Sequence, residues 1–142
     1  MYISGIKNFF PVPNCIFNLD LTADEIALYI YLMYSEKRTT NKCHPSFRTI
    51  GNALKMSRPT VKKYVDMLCG KGLIDVEPTE VYWNGGRKYN GNLEYTILPI
   101  QEAVNSYNER QMRIIEKNQK EALLKQRLLE YERLKAISAT DL

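Results

Sequence analysis

The stretch TIGNALKMSRPTVKKYVDML, residues 49–68, reads as two short helices joined by a tight turn. Ile50 and Leu54 recur at helical spacing and face inward from the first helix. Gly51 is small where the two helices must approach closely, and Met56 fills the turn between them. Ser57 is placed to cap the second helix, and Pro59 falls in its first turn, where a missing amide costs nothing. Val61, Val65 and Leu68 mark the stripe that this helix buries. Arg58, Pro59, Thr60, Lys62, Lys63 and Asp66 are then left facing outward. Most of these side chains can donate hydrogen bonds to phosphates or base edges, as the second helix of a helix-turn-helix does. Two helices packed for stability alone would require no particular side chain at the turn or the cap.

Around this pair the chain divides readily. Residues 1–21 form an irregular arm in which Pro11 and Pro13 hold the chain extended. Phe9, Phe10, Ile16 and Phe17 are expected to anchor the arm on the domain. Thr22-Ala-Asp-Glu25 has capping-box spacing and starts a helix running to about Lys37. Its apolar face is read as Ile26, Ala27, Ile30, Met33 and Tyr34, widened by Leu28, Tyr31 and Leu32. Tyr29, Tyr31 and Tyr34 fit core and rim better than a stacking site for single strands. Thr39 to Pro45 reads as a loop, and Ser46 caps a short helix from Phe47 to Lys55. The third helix spans Arg58 to about Gly70, with Gly72 placed to take the left-handed conformation that ends it.

Beyond the pair, KGLIDVEP (71–78) turns straight into a strand over Leu73 to Glu77. Two more strands, Glu80 to Trp83 and Asn92 to Leu98, flank a glycine-rich turn carrying Arg87 and Lys88. A basic hairpin tip directly after such a helix pair has the order of a wing, able to reach a neighbouring groove or backbone. Trp83 is read as a brace for it. From Ile100 to about Ile137 there is no Pro or Gly, and strong helix formers dominate. Ile100, Ala103, Val104 and Tyr107 are expected to fold back on the domain. Leu123, Leu124, Leu128, Tyr131 and Leu134 are expected to pair with a second copy, although Gln111, Asn118 and Gln126 break a regular heptad. The fold class expected is mainly α with a small β-wing (α+β): a winged helix-turn-helix over 22–99, then a helical extension over 100–142.

Charge supports the same reading. The chain carries a net +4, yet Arg48 to Lys71 alone holds six bases against one acid, Asp66. Clustered positive charge is what a phosphate backbone attracts. The DNA-contacting set expected is Arg48, Ser57, Arg58, Pro59, Thr60, Lys62, Lys63, Arg87 and Lys88, with Arg58 as a base reader and Lys63 on phosphate.

Other chemistries find little support. The one histidine, His44, and three scattered cysteines, Cys15, Cys43 and Cys69, lack the spacing of a zinc site. No nucleophile–base set, paired carboxylates or glycine-rich phosphate loop is present, so neither an enzyme, a cofactor nor a small-molecule ligand is expected. The N-terminus does not read as a secretion signal and no long apolar run exists, so a cytoplasmic protein with reduced thiols and no membrane contact is expected.

Residues 9–104 resemble the winged-helix domains of Gram-positive plasmids, phages and conjugative elements, including the N-terminal domains of plasmid replication initiators. The resemblance is carried by FFPVPNCIF, LTADEIALYIYL, HPSFRTIGNALKMSRPTVKKYVDMLCGKGLI and GNLEYTILPIQEAV. It implies a DNA-binding protein of a mobile element: a homodimeric transcriptional regulator or, alternatively, a replication-initiation or replisome-loading factor. A module that contacts only protein would not need the outward bases of the third helix.

Overall fold

The computed structural model describes residues 8–82 and 88–140, with backbone only for 80–82, 88–90 and 140. It divides into two compact units, the first ending at Tyr107 and the second beginning at Asn108.

In the first unit a short 3-10 turn, Asn14–Asn18, leads to helix α1, Ala23–Ser35. The expected capping box is formed: Thr22 Oγ1 accepts from Glu25 N at 3.3 Å, and Glu25 Oε1 accepts from Thr22 N at 3.2 Å. Two strand residues, Lys42–Cys43, make β1. Helices α2 (Phe47–Leu54) and α3 (Arg58–Gly70) follow. Strands β2 (Ile74–Glu77), β3 (Glu80–Tyr82), β4 (Lys88–Asn90) and β5 (Glu94–Ile97) form the hairpin region, and α4 begins at Ile100 and runs to Thr140. This is the winged helix-turn-helix with a long C-terminal helix that the sequence predicts.

The sheet has the order β1-β5-β2, all antiparallel, and β3 pairs β4 in a second ladder. Glu77 faces Glu94 in the first ladder and Glu80 faces Asn90 in the second, so Pro78–Thr79 oppose Gly91–Leu93 across a bulge. Pro78 has no amide to give the ladder, which accounts for the break. Gly91 N donates to Thr79 O at 2.9 Å and the Thr79 hydroxyl donates to Asn92 O, holding the two ladders in line.

The core lies between α1, α3 and the sheet: Leu28, Tyr29 and Leu32 from α1 meet Val61, Val65 and Leu68, with Ile50, Leu73, Ile74 and Tyr95. The first turns of α4 close it through Ala103, with Ile100, Val104 and Tyr107 packed alongside. Gly72 (φ +78°) lets the chain turn from α3 into β2, a backbone conformation that side chains rarely adopt. In the second unit, Asn108 onward is helical, and its side chains from Met112 to Ala139 are exposed.

Four expectations need correcting. The buried face of α1 is Glu25, Leu28, Tyr29 and Leu32, rotated from the predicted stripe, and Tyr34 is 69% exposed. The helix is apolar nearly all round, so periodicity alone could not select the face. In the arm, Ile16 and Leu19 are buried, whereas Phe9 and Phe17 are 77% and 78% exposed. The predicted loop of 39–45 contains β1, too short to show a period. Finally, α2 stops at Leu54 because Lys55 adopts the left-handed conformation (φ 59°, ψ 44°).

One polar contact crosses the core boundary. Glu25 is fully buried, and Lys71, just past α3, reaches its Oε1 at 3.0 Å and Oε2 at 2.9 Å while also donating to Asp20 O at 2.8 Å. This ties the start of α1 to the end of α3. Lys71→Met is expected to leave a buried carboxylate without its counter-charge and cost about 3–4 kcal/mol, the lower part of the range for broken buried pairs because Lys71 keeps some contact with water. Denaturant unfolding measures it, and a change within experimental scatter would show that the pair contributes nothing net.

At Gly51 a Cβ would stand 2.5 Å from Met56 O, a backbone atom of the turn. Gly51→Ala should therefore lower stability by about 1–3 kcal/mol through overpacking, despite the better helix propensity of alanine. An unchanged or raised Tm would contradict this.

Candidate nucleic-acid interface

The turn between α2 and α3 is built from its backbone outward. Ser46 caps α2, accepting from Thr49 N at 3.0 Å, and Ser57 caps α3, accepting from Thr60 N at 3.4 Å. The Ser57 and Thr60 hydroxyls also lie 2.8 Å apart, so both are engaged in the cap. With Lys55 left-handed, Met56 N donates back to Gly51 O at 2.9 Å. Non-glycine residues enter that region at some cost, and the return hydrogen bond holds this one there.

Burial then sets the phase of α3. Val61, Val65 and Leu68 are fully or almost fully buried, as the spacing predicts. Arg58, Pro59, Lys62, Lys63 and Asp66 are exposed, and Thr60 is half-buried. The α3 members of the predicted set thus share one solvent-facing surface. Lys63 Nζ sits 5.4 Å from the centroid of the Tyr64 ring, a cation–π contact that leaves its charge accessible. Tyr64 itself turns toward Asp24 of α1, and that hydrogen bond is the main reason its phenol titrates above the usual range.

The charge cluster is smaller than the sequence count. Lys71 is spent on Glu25 and Asp20, leaving Arg48, Lys55, Arg58, Lys62 and Lys63 against Asp66. No sequence signal short of the three-dimensional fold separates Lys71 from its neighbours. Arg48 lies on α2 beside the start of α3, and its residue lines a hollow shared with Arg58. In the hairpin, Lys88 is the first residue of β4, while Arg87 and Trp83 lie outside the described residues.

A second polar cluster, unread in the sequence, supports the root of this hairpin. Glu94 accepts from Lys42 Nζ at 2.8 Å and lies 2.9 Å from His44 Nε2. The hydrogen bond from Lys42, followed by that from His44, holds the Glu94 carboxyl below the usual carboxylate range. Asn92 Nδ2 donates to His44 O at 3.1 Å, so β1, the following loop and the hairpin root are joined.

Among the described residues no group of three or more His, Cys, Asp or Glu is placed to hold a metal ion. The three cysteines are free; burial pushes the Cys43 thiol up to about 11 and also raises Cys69, which disfavours the reactive thiolate in both. No described helix is long and apolar enough to cross a membrane.

Among solved structures, the chain is similar to a possible transcriptional regulator from Methanosarcina mazei Go1, with 19% identity, 70% of this chain and 80% of that one covered, and a TM-score of 0.41. It is similar to the PcaV transcriptional regulator from Streptomyces coelicolor at 21% identity, over 70% of this chain and 60% of that one, with a TM-score of 0.38. A probable transcriptional regulator from Pseudomonas aeruginosa matches at 21% identity over 74% of this chain and 76% of that one, with a TM-score of 0.35. No curated protein matches the chain. Residues 19–74, from the end of the arm through α1, α2 and α3, match the family model described as a helix-turn-helix domain, and the capped helix pair lies inside that span.

Proposed function

We propose that this chain is a sequence-specific duplex-DNA-binding protein that regulates transcription in a mobile element, acting in the cytoplasm as a binder with no catalytic step. The observation that carries the reading is the face of α3. A buried stripe of Val61, Val65 and Leu68 leaves Arg58, Lys62 and Lys63 exposed to solvent, presented by a capped, glycine-tight turn. Such a helix suits the major groove, with its first turn nearest the base edges. Ser57 and Pro59 mark the end that enters the groove, and Lys62 and Lys63 lie one turn further along. Arg48 on α2 extends the positive surface toward flanking phosphates, and Arg87 and Lys88 are assigned to DNA contact from the sequence. The resemblance of residues 9–104 to winged-helix proteins of plasmids, phages and conjugative elements supplies the biological setting.

On this reading 22–99 is the DNA-binding module, residues 1–21 are its arm, and 100–142 is an extension that joins two copies. The support for the dimer is the helix after Tyr107, where ten large apolar side chains between Met112 and Ile137 are exposed. Leu124, Leu128 and Tyr131 recur at four and three, as a helix seam requires. Leaving so much apolar surface in water is costly, and a symmetric pairing covers it while presenting two α3 helices to a two-part site.

Two measurements follow from this arrangement. In fluorescence anisotropy with duplex DNA, log affinity is expected to fall linearly with log salt, at about −0.9 for each neutralised phosphate. Lys62→Ala should weaken binding with no change in the melting curve. Affinity that stays flat as salt rises would remove the electrostatic basis of the reading. Light scattering should give twice the chain mass for the full protein and a single chain mass after truncation at Tyr107. A full-length monomer at tens of micromolar would remove the dimer.

A further inference from the structure

Between the start of α2, the start of α3 and the root of the hairpin lies a hollow of ≈ 280 Å³. Ser46, the cap of α2, lines it with Phe47 and Arg48 of that helix, Arg58 of α3, and Asn92 and Leu93 of the hairpin root. Two arginines from different helices thus line one space, and both residues are exposed. Neither arginine is paired with a carboxylate among the described residues. Two like charges brought to one hollow without a counter-charge repel each other, and an anion placed between them relieves that repulsion.

The lining says which anion. Phe47 and Leu93 line the same hollow, so it combines apolar residues with two cationic ones. A phosphodiester with its deoxyribose has the same division, charged oxygens on one side and an apolar sugar face on the other. The hollow is also open and its arginines lie in water, whereas sites for small ligands bury most of the ligand surface. It shares Arg58 with the DNA-facing side of α3.

We propose that this hollow seats a single backbone phosphate of the bound duplex, gripped jointly by Arg48 and Arg58, with the adjoining sugar against Phe47 and Leu93. The inference rests on the DNA-binding reading above and deepens it. It reassigns Arg58: although it stands in the first turn of α3, it positions the strand, and base reading falls to Thr60 and Lys62 further along the helix. Asn92 is held by its bond to His44 O, so the Glu94 cluster braces one wall of the seat.

The test uses the full chain, labelled duplexes of several unrelated sequences and a salt titration of each. The proteins are the wild type, Arg48→Gln, Arg58→Gln and the double variant, all checked for unchanged melting because both side chains are exposed. Each single variant is expected to lose roughly tenfold in affinity on every sequence alike. Because one phosphate is shared, the double variant should lose much less than the product of the single losses. Its salt slope should shift by about 0.9 in total, the value for one phosphate. A shift of about 1.8 with multiplicative losses would mean two separate phosphates and overturn the shared seat. A loss confined to particular sequences for Arg58→Gln would restore it as a base reader and also overturn the proposal. If inorganic phosphate displaced DNA far better than chloride at equal ionic strength, in the wild type but not in the double variant, the hollow would be a free-anion site instead. A wild type that binds no duplex at all would sink the DNA-binding reading, and the seat with it, which is distinguishable from every other result.

Discussion

The arrangement of this molecule depends on the contact between α3 and the body beneath it. Val61, Val65 and Leu68 lose almost all their exposure against α1, α2 and the sheet. Burying side chains of this size contributes roughly 1.5–3 kcal/mol each, an upper figure because the unfolded chain already shelters part of that surface. That contact fixes the rotation of α3 about its axis. Once it is set, Arg58, Lys62 and Lys63 have no way to turn inward, and they make a positive face as a consequence. The missing side chain at Gly51 serves the same end, since only a bare Cα lets the carbonyl of Met56 come close enough to close the turn.

The rest of the domain keeps that face in place by local polar contacts. Glu25 both closes the cap of α1 and receives Lys71, so the beginning of one helix and the end of another share a single carboxylate. Glu94 joins Lys42 and His44 in a similar way at the root of the hairpin. These pairs differ in burial and therefore in consequence. The first has a fully buried carboxylate whose partner cannot be removed cheaply, whereas the second lies near water and acts chiefly on geometry. Bases committed to such roles are unavailable to a ligand, which is why the charge offered by the surface is less than the charge counted along the chain.

Much of this was legible in the sequence, and for identifiable reasons. The caps at Thr22, Ser46 and Ser57, the stripe on α3, the left-handed Gly72 and the packing of Ile100 to Tyr107 each depend on short-range chemistry that residue type and spacing reveal. What stayed hidden depends on distant neighbours. α1 carries apolar residues on most of its circumference, so only the fold could show that Tyr29 goes in and Tyr34 stays out. β1 exists because β5 is there to pair with it. Lys71 looks like any other exposed base until Glu25, 46 positions earlier, is seen beside it. The hollow at Arg48 and Arg58 likewise needs three separate segments to meet.

The central claim is that α3 faces duplex DNA, and nuclear magnetic resonance of the isotopically labelled full chain tests it most directly. Backbone amide shifts would be followed as a duplex is added at low salt. The largest changes are expected at the outward positions of α3 from Arg58 to Asp66, with smaller ones around Arg48 and Asn92. Val65 and Leu68, buried beneath, should move little. Changes concentrated instead on the helix beyond Tyr107 or on the arm around Phe9 and Phe17, with α3 silent, would contradict a DNA-reading role for that helix.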